Sequence, residues 1–370
     1  MKDFSKLTNK SIIDIAKLGI IHFIEDWLSK LTEPITNFTV NNDYTIDVDQ
    51  DCRFYKEDFT NNKFPDFIQF NIIKGWFDLF YCHLVSLKGC PNIVNEYFNC
   101  SNNDLTTLEG GPKEVNGDFN CYNNNLTTLE GGPKKVGGWF DCSNNNLTTL
   151  EGGPEEVKGD LNYYNNNLAT LEGAPKKVGG SFYCSNNNLT TLEGAPKEVG
   201  SNFYCSNNNL ATLEGAPKKV GGSFYCSNNN LTTLEGAPKE VGSSFYCPNN
   251  NLTTLWGAPK KVGGSFYCSN NNLTTLEGAP EEIGSDFNCS HNNLTTLKGA
   301  PKEIYGNFNC SNNNLTNLTE GPNYVLYKYY CTQNPIKSLI GAPLSCKKFI
   351  SPQHTHEDYK KYINTRNKRL

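Results

Sequence analysis

Eleven of the fifteen cysteines fall on one comb with a tooth every twenty-one residues: Cys100, Cys121, Cys142, Cys184, Cys205, Cys226, Cys247, Cys268, Cys289, Cys310 and Cys331. Tyr163 fills the one vacant slot. A spacing that never slips between Cys100 and Cys331 describes one supersecondary unit stacked on copies of itself, because each unit can bury its apolar face only against the next. A stack grows by adding neighbours, so a length of 370 residues needs no division into globular domains.

One unit, Val178 to Pro196, reads VGGSFYCSNNNLTTLEGAP. Phe182 and Cys184 are two apart, so both point to one face of a short strand while Ser181, Tyr183 and Ser185 point to the other. Leu189 and Leu192 extend the apolar set, and Asn187 stands between them and the cysteine. The spacing F-x-C-x-x-N-x-L-x-x-L fits the leucine-rich-repeat template. The Asn slot recurs at Asn103, Asn124, Asn145, Asn166, Asn208, Asn229, Asn250, Asn271, Asn292, Asn313 and Asn334. An amide can both donate and accept where the chain leaves the strand, so stacked copies should form a structural ladder. The other half of the unit, LEGAPKKVGG, is broken by Gly173, Pro175, Gly179 and Gly180, too often for a helix. The convex side is therefore expected to be extended or turn-like.

Thirteen strand slots run from Phe77 to Tyr329. The ends depart from the pattern, as an uncapped stack would expose apolar faces and strand edges. Residues 1–50 read as an N-terminal cap, an amphipathic helix followed by a hairpin-like NFTVNNDYTIDVDQD. Residues 51–350 read as a solenoid of about thirteen repeats, and residues 351–370 as a basic capping tail. Just before the first regular repeat, Phe59-x-x-Asn62-x-Phe64-x-x-Phe67 looks like a degenerate coil one residue short.

At these positions the chain resembles leucine-rich-repeat proteins of the short kind, rich in Asn and Cys, found in giant viruses of amoebae, whose repeats read like NNNLTTLEGAPKEVGG. It is more distantly similar to the short leucine-rich repeats of enterobacterial type III effectors, which also place Pro on the convex side. The likeness covers about residues 55–350. It implies a solenoid with a parallel β-sheet on its concave face, used to recognise proteins. Those effectors carry a ubiquitin-ligase domain after the repeats, and this chain runs only about twenty residues past its last one, so ligase activity is not carried over.

Composition excludes several classes. A net charge of −5 argues against general affinity for nucleic acid or an anionic membrane. No apolar run reaches the length of a membrane helix, and no secretory signal is apparent. A thiol in every repeat suits a reducing compartment; fifteen is odd, and equivalent slots stack rather than pair. The expected location is cytoplasmic, with sequons such as Asn125-Leu-Thr and Asn188-Leu-Thr incidental. None of His22, His83, His291, His354 and His356 pairs with Cys at a zinc spacing. Asp47, Asp49 and Asp51 mimic the start of a calcium loop, but Cys52 stands where the loop needs glycine. No phosphate loop, dinucleotide fingerprint or nucleophile elbow occurs. The reading is of a protein with no enzymatic activity and no cofactor or metal.

Charge pairs follow each proline, from Lys113-Glu114 and Lys134-Lys135 to Lys197-Glu198 and Lys218-Lys219. Their alternation is expected to keep like charges in neighbouring coils apart. What remains for function is the outward face of the Phe-x-Cys strand. Tyr183, Tyr204, Tyr225, Tyr246 and Tyr267 form a uniform central column flanked by Ser and Asn, a composition suited to protein contact. Toward the N-terminus the columns vary: Trp76, Tyr97, Asp118, Trp139 and Asp160 in the first, Asp141 in the second, Phe80, Tyr122 and Tyr164 in the third. The expected partner is a protein, with a repetitive polysaccharide as the alternative and a purely structural role as a third. Specificity is expected where the columns vary.

Overall fold

The computed structural model describes residues 9–367. The chain forms two compact units, Met1–Asn167 and Leu168–Leu370, both built from the same coil. In the first unit Phe77–Asp78, Phe98–Asn99, Phe119–Asn120, Phe140–Asp141 and Leu161–Asn162 pair in parallel, position for position. A second parallel ladder joins Ile93–Val94, Glu114–Val115, Lys135–Val136 and Glu156–Val157 on the convex side. The second unit repeats the first ladder from Phe182–Tyr183 to Phe308–Asn309 and the second from Lys177–Val178 to Glu282–Ile283. Constant coil length sets this register, since a slip of one residue would turn every Phe and Cys outward.

The core is a set of columns. The Phe, Cys and two Leu slots are fully buried in coil after coil. Phe rings stack 5.2 Å apart between Phe119 and Phe140 and 5.4 Å apart between Phe182 and Phe203. Cysteine thiols bridge coils weakly; Cys205 Sγ donates to the Tyr225 carbonyl at 3.3 Å. Burial pushes the Cys205 and Cys226 thiols well above their ordinary range, so they pack as small apolar groups. Tyr163 is buried in its Cys slot, and the Phe slot of the same coil holds the smaller Leu161. That exchange keeps the total volume nearly constant.

The Asn triplet divides its labour. In Asn228-Asn229-Asn230 the middle residue is buried. Its Nδ2 donates to the carbonyls of Cys205, Cys226 and Ser227 at 3.0, 3.1 and 3.3 Å, and its Oδ1 accepts the Leu210 N–H at 3.1 Å. Asn228 takes a left-handed turn with φ +55°, which Asn tolerates better than most residues. Asn230 is exposed.

At the N-terminal end the expected amphipathic helix is α1 (Asn9–Ser29); residues 1–8 lie outside the described residues. Ile24 and Leu28 are buried, and Trp27 packs on Phe54 and Phe64 at 6.3 and 6.0 Å. The hairpin pairs Phe38–Val40 with Ile46–Val48, and the latter joins the second ladder beside Phe70–Ile73. The three aspartates that mimic a calcium loop are consumed by the next coil. Asp47 Oδ1 accepts from Asn71 Nδ2 and the Ile72 N–H, Asp49 pairs with Lys74 at 2.7 Å, and Asp51 Oδ1 accepts the Trp76 N–H.

The degenerate coil differs from expectation. Its strand is Cys52–Arg53, paired with Phe77–Asp78, and a 3-10 turn at Lys56–Asp58 lengthens rather than shortens it. Phe64 fills a core slot, but Phe67 is 41% exposed and rests against Phe23 at 6.1 Å.

At the C-terminal end Tyr324–Tyr330 lengthens and pairs in parallel with both Glu303–Ile304 and Phe308–Asn309, and Ser345–Ile350 pairs with it in turn. The basic tail forms α2 (His356–Asn367), opened by a capping box between Thr355 and Asp358. Tyr359 stacks on Phe349 at 5.0 Å, and His356 Nδ1 accepts the Phe349 N–H at 3.1 Å.

Charge alternation holds for one member of each convex pair only. Lys177, Glu198 and Lys219 sit side by side in one ladder, as do Glu240, Lys261 and Glu282. The position before them carries Lys176, Lys197, Lys218, Lys239 and Lys260 in successive coils, so like charges do stack there.

Candidate binding face

Outward residues of the Phe-x-Cys strand stand in three columns, and parallel register superposes equivalents. In the second unit the rings of Tyr183, Tyr204, Tyr225, Tyr246 and Tyr267 stack at 4.6, 4.5, 4.5 and 4.8 Å with interplanar angles of 6–7°. Their faces cover one another, so the ladder offers ring edges and hydroxyls. Burial, helped by the neighbouring Tyr225 and Tyr183, pushes the Tyr204 phenol up to about 12. The first column caps backbone: Ser223 Oγ accepts the Ser244 N–H at 3.1 Å, and Ser244 Oγ accepts the Ser265 N–H at 3.0 Å.

Where the central column of the second unit holds Asn rather than Tyr, the side chain accepts the N–H two residues on. Asn288 binds Ser290 and Asn309 binds Ser311, each at 3.0 Å. A Tyr coil makes no use of that N–H, and the one proline in the third column, Pro248, falls in the coil of Tyr246.

The first unit is irregular. Trp76 and Tyr97 stack at 5.5 Å and 10°. The Arg53 guanidinium lies 5.1 Å over Trp76 and its Nε 3.3 Å from Asp78 Oδ2. Asp78 Oδ1 accepts the Phe80 N–H and Asn99 Nδ2, both at 3.0 Å. Burial, then the Asp78 charge, raises the Tyr97 phenol. This cluster fixes its aromatic rings before any partner arrives.

Asp118 and Asp141 each commit one oxygen to the backbone, Asp118 Oδ1 to the Trp139 N–H at 2.7 Å and Asp141 Oδ1 to the Ser143 N–H at 2.9 Å. The Asp160 carbonyl accepts the Phe140 N–H at 2.9 Å. Trp139 lies over Gly159, where a Cβ would stand 2.4 Å from Trp139 Cδ1. Trp139 is 58% exposed, Phe80 47% and Tyr164 41%.

The geometry thus joins Trp76 to Tyr97, Asp118 to Trp139, and the five ladder tyrosines to one another. Sequence reasoning missed Arg53 and Asp78. The signal was Cys52-x-Phe54, apolar at a spacing of two, which places Arg53 outward. Among the described residues no three His, Cys, Asp or Glu side chains gather as metal ligands, and no helix is long and apolar enough to cross a membrane.

No protein-family model and no curated protein matches the chain. Solved structures with leucine-rich coils do. YopM, a leucine-rich effector protein from Yersinia pestis, is 24% identical, with 73% of this chain and 72% of that one covered and a TM-score of 0.44. The functional domain of InlJ from Listeria monocytogenes, which includes a cysteine ladder, is 18% identical over 75% and 68%, with a TM-score of 0.40. A leucine-rich-repeat protein from Leptospira interrogans is 17% identical over 70% and 90%, with a TM-score of 0.34. These likenesses concern the coil alone. The solenoid assignment rests on the strand register described above.

Proposed function

We propose that this chain is a non-enzymatic interaction module that binds a protein partner across the outward face of its Phe-x-Cys sheet, with specificity in the first unit. The observation that carries the reading is the exposure of Trp139, Phe80 and Tyr164 on columns where serine suffices in other coils. Large aromatics left in water on one face are a cost unless a partner covers them. The fixed cluster of Arg53, Trp76, Asp78 and Tyr97 supports the same face, because rings already held in place lose little entropy on binding. Buried, unpaired thiols suit action in the reducing cytoplasm, and the resemblance of the repeats supplies the expectation of a giant-virus origin and a host or viral partner.

A repetitive polysaccharide is the second reading, favoured by the even 4.5–4.8 Å pitch of the tyrosine ladder. Sugar rings stack on aromatic faces, however, and inside the ladder those faces are taken. The test is affinity capture by the full chain, followed by the F80A/W139A/Y164A variant and by Y204S/Y225S. The reading expects a protein that is lost with the first variant and kept with the second. Retention of that protein by the first variant sinks it. Binding to soluble polysaccharides that strengthens with chain length and fails in Y204S/Y225S would put the second reading in its place.

A further inference from the structure

The ridge after the Leu slots of the second unit carries two columns outside the Phe-x-Cys strands. Glu172, Glu193, Glu214 and Glu235 hold one position in four successive coils, and Trp256 takes the fifth. Four residues later in each coil stand Lys176, Lys197, Lys218, Lys239 and Lys260. All ten side chains are exposed, Trp256 at 63%. Backbone bonds keep both columns in step: the N–H groups of Leu192 and Leu213 donate to the carbonyls of Glu214 and Glu235, and those of Lys197 and Lys218 to Lys176 and Lys197.

Like charges stacked one strand spacing apart, about 4.8 Å, are destabilising. The neighbouring column of the same convex strand avoids this by alternation, with Lys177–Glu198 at 3.6 Å and Lys261–Glu282 at 3.0 Å. The two ridge columns do not alternate. Among the described residues no ion pair joins any of Glu172, Glu193, Glu214, Glu235, Lys176, Lys197, Lys218 or Lys239. Beyond Trp256 the pattern ends and the charges are neutralised inside the chain, Glu277 by Lys298 at 2.8 Å and Lys260 by Glu281 at 4.0 Å. Among the described residues the Glu position is also unpaired at Glu109, Glu130 and Glu151 of the first unit, but there the Lys position runs Lys113, Lys134, Glu155, so only the second unit carries both columns unbroken over four coils.

The columns are near neighbours. Only Gly, Ala and Pro separate Glu193 from Lys197. Lys302, at the Lys position of a later coil, reaches with its Nζ the backbone carbonyl of Glu320, one residue past the Glu position of the next coil, at 3.4 Å. A polyanion would meet the Glu column and a polycation the Lys column. A surface with the same two columns exchanged satisfies both. A two-fold axis parallel to the columns performs that exchange on a second copy of the chain, setting each Glu against the Lys of the same coil level. It also sets Trp256, at the end of the Glu column, against Lys260 of the partner subunit, a cation–π pair available because the Lys260–Glu281 contact, at 4.0 Å, is loose and exposed. An antiparallel copy would set Glu on Glu.

We propose that this ridge is an isologous interface by which two copies of the chain associate side by side and parallel. Exposed ion pairs contribute little each, so the association is weak, reversible and governed by salt.

Charge exchange tests it on the full chain by sedimentation equilibrium. Wild type should dimerise at low ionic strength, with a dissociation constant rising at least about tenfold as the charges are screened. K176E/K197E/K218E/K239E and E172K/E193K/E214K/E235K should each be monomeric, and their mixture should form a one-to-one heterodimer. W256S, a single surface change that leaves the coil intact, should weaken the wild-type dimer about tenfold. A monomeric wild type at low salt, a dimer indifferent to salt and to W256S, or charge variants that fold but do not complement each other would overturn the proposal.

Discussion

Three adjacent asparagines of one composition should have three different energetic weights. In Asn228-Asn229-Asn230 the middle amide accepts the buried Leu210 N–H at 3.1 Å and donates to three carbonyls. Replacing Asn229 by Ala leaves two of those carbonyls with another donor, since Cys205 keeps Asn208 and Cys226 keeps Asn250, both at 3.1 Å. The Leu210 N–H is left with none. A stranded buried donor costs about 1–3 kcal/mol, and the lost side-chain bonds bring N229A to about 2–4 kcal/mol. N228A should cost about 1 kcal/mol, the price of a left-handed turn without Asn. N230A alters an exposed side chain and should stay within about 0.5 kcal/mol. Urea unfolding of the full chain gives the ranking. Amide exchange supplies the local readout, because a stack of coils can open locally, and Leu210 should lose protection in N229A alone. Equal costs for N229A and N230A, or a Leu210 amide still protected in N229A, would refute the ladder argument.

Further outcomes follow from the same coil. Native protein should leave Cys205, Cys226 and Cys247 unmodified by a thiol reagent at neutral pH, since burial holds each thiol well above its ordinary range; labelling without denaturant, read by peptide mass mapping, would contradict this. The Tyr204 phenol, raised to about 12, keeps its proton in the folded chain where the unfolded chain, with a pKa of about 10, has lost it. Stability fully present below about pH 10 should therefore drain away as pH rises toward 12, with Y204F less sensitive than wild type in alkaline melts. Gly215 has φ +86°, and a Cβ there would stand 2.4 Å from the Glu193 nitrogen. G215A should lower stability by about 2–3 kcal/mol, and an unchanged melting temperature would exclude the strain.

Much of this architecture was legible because a period of twenty-one residues leaves little choice. Phe182, Cys184, Leu189 and Leu192 announce their burial by spacing, and Asn187 its turn. The first coil was not legible, because a 3-10 turn at Lys56–Asp58 shifts its strand back to Cys52–Arg53, where the Phe-x-Cys signature is reversed. The charge columns were misjudged for a different reason. Pairs such as Lys176-Lys177 and Lys197-Glu198 look alternating when read together, but the ladder separates their members into one column that alternates and one that does not. On the binding face the columns could be counted from sequence. The Arg53 bridge from Trp76 to Asp78 could not, because it joins residues of two coils of unequal length.

The central functional claim is that a protein partner lies across the aromatic columns of the first unit. Side-chain footprinting of the full chain with its captured partner tests this most directly. The account predicts protection of Phe80, Trp139 and Tyr164, with Trp256 on the ridge still open to the reagent at an ionic strength that keeps the chain monomeric. Unchanged labelling of Trp139 in a saturated complex would contradict it.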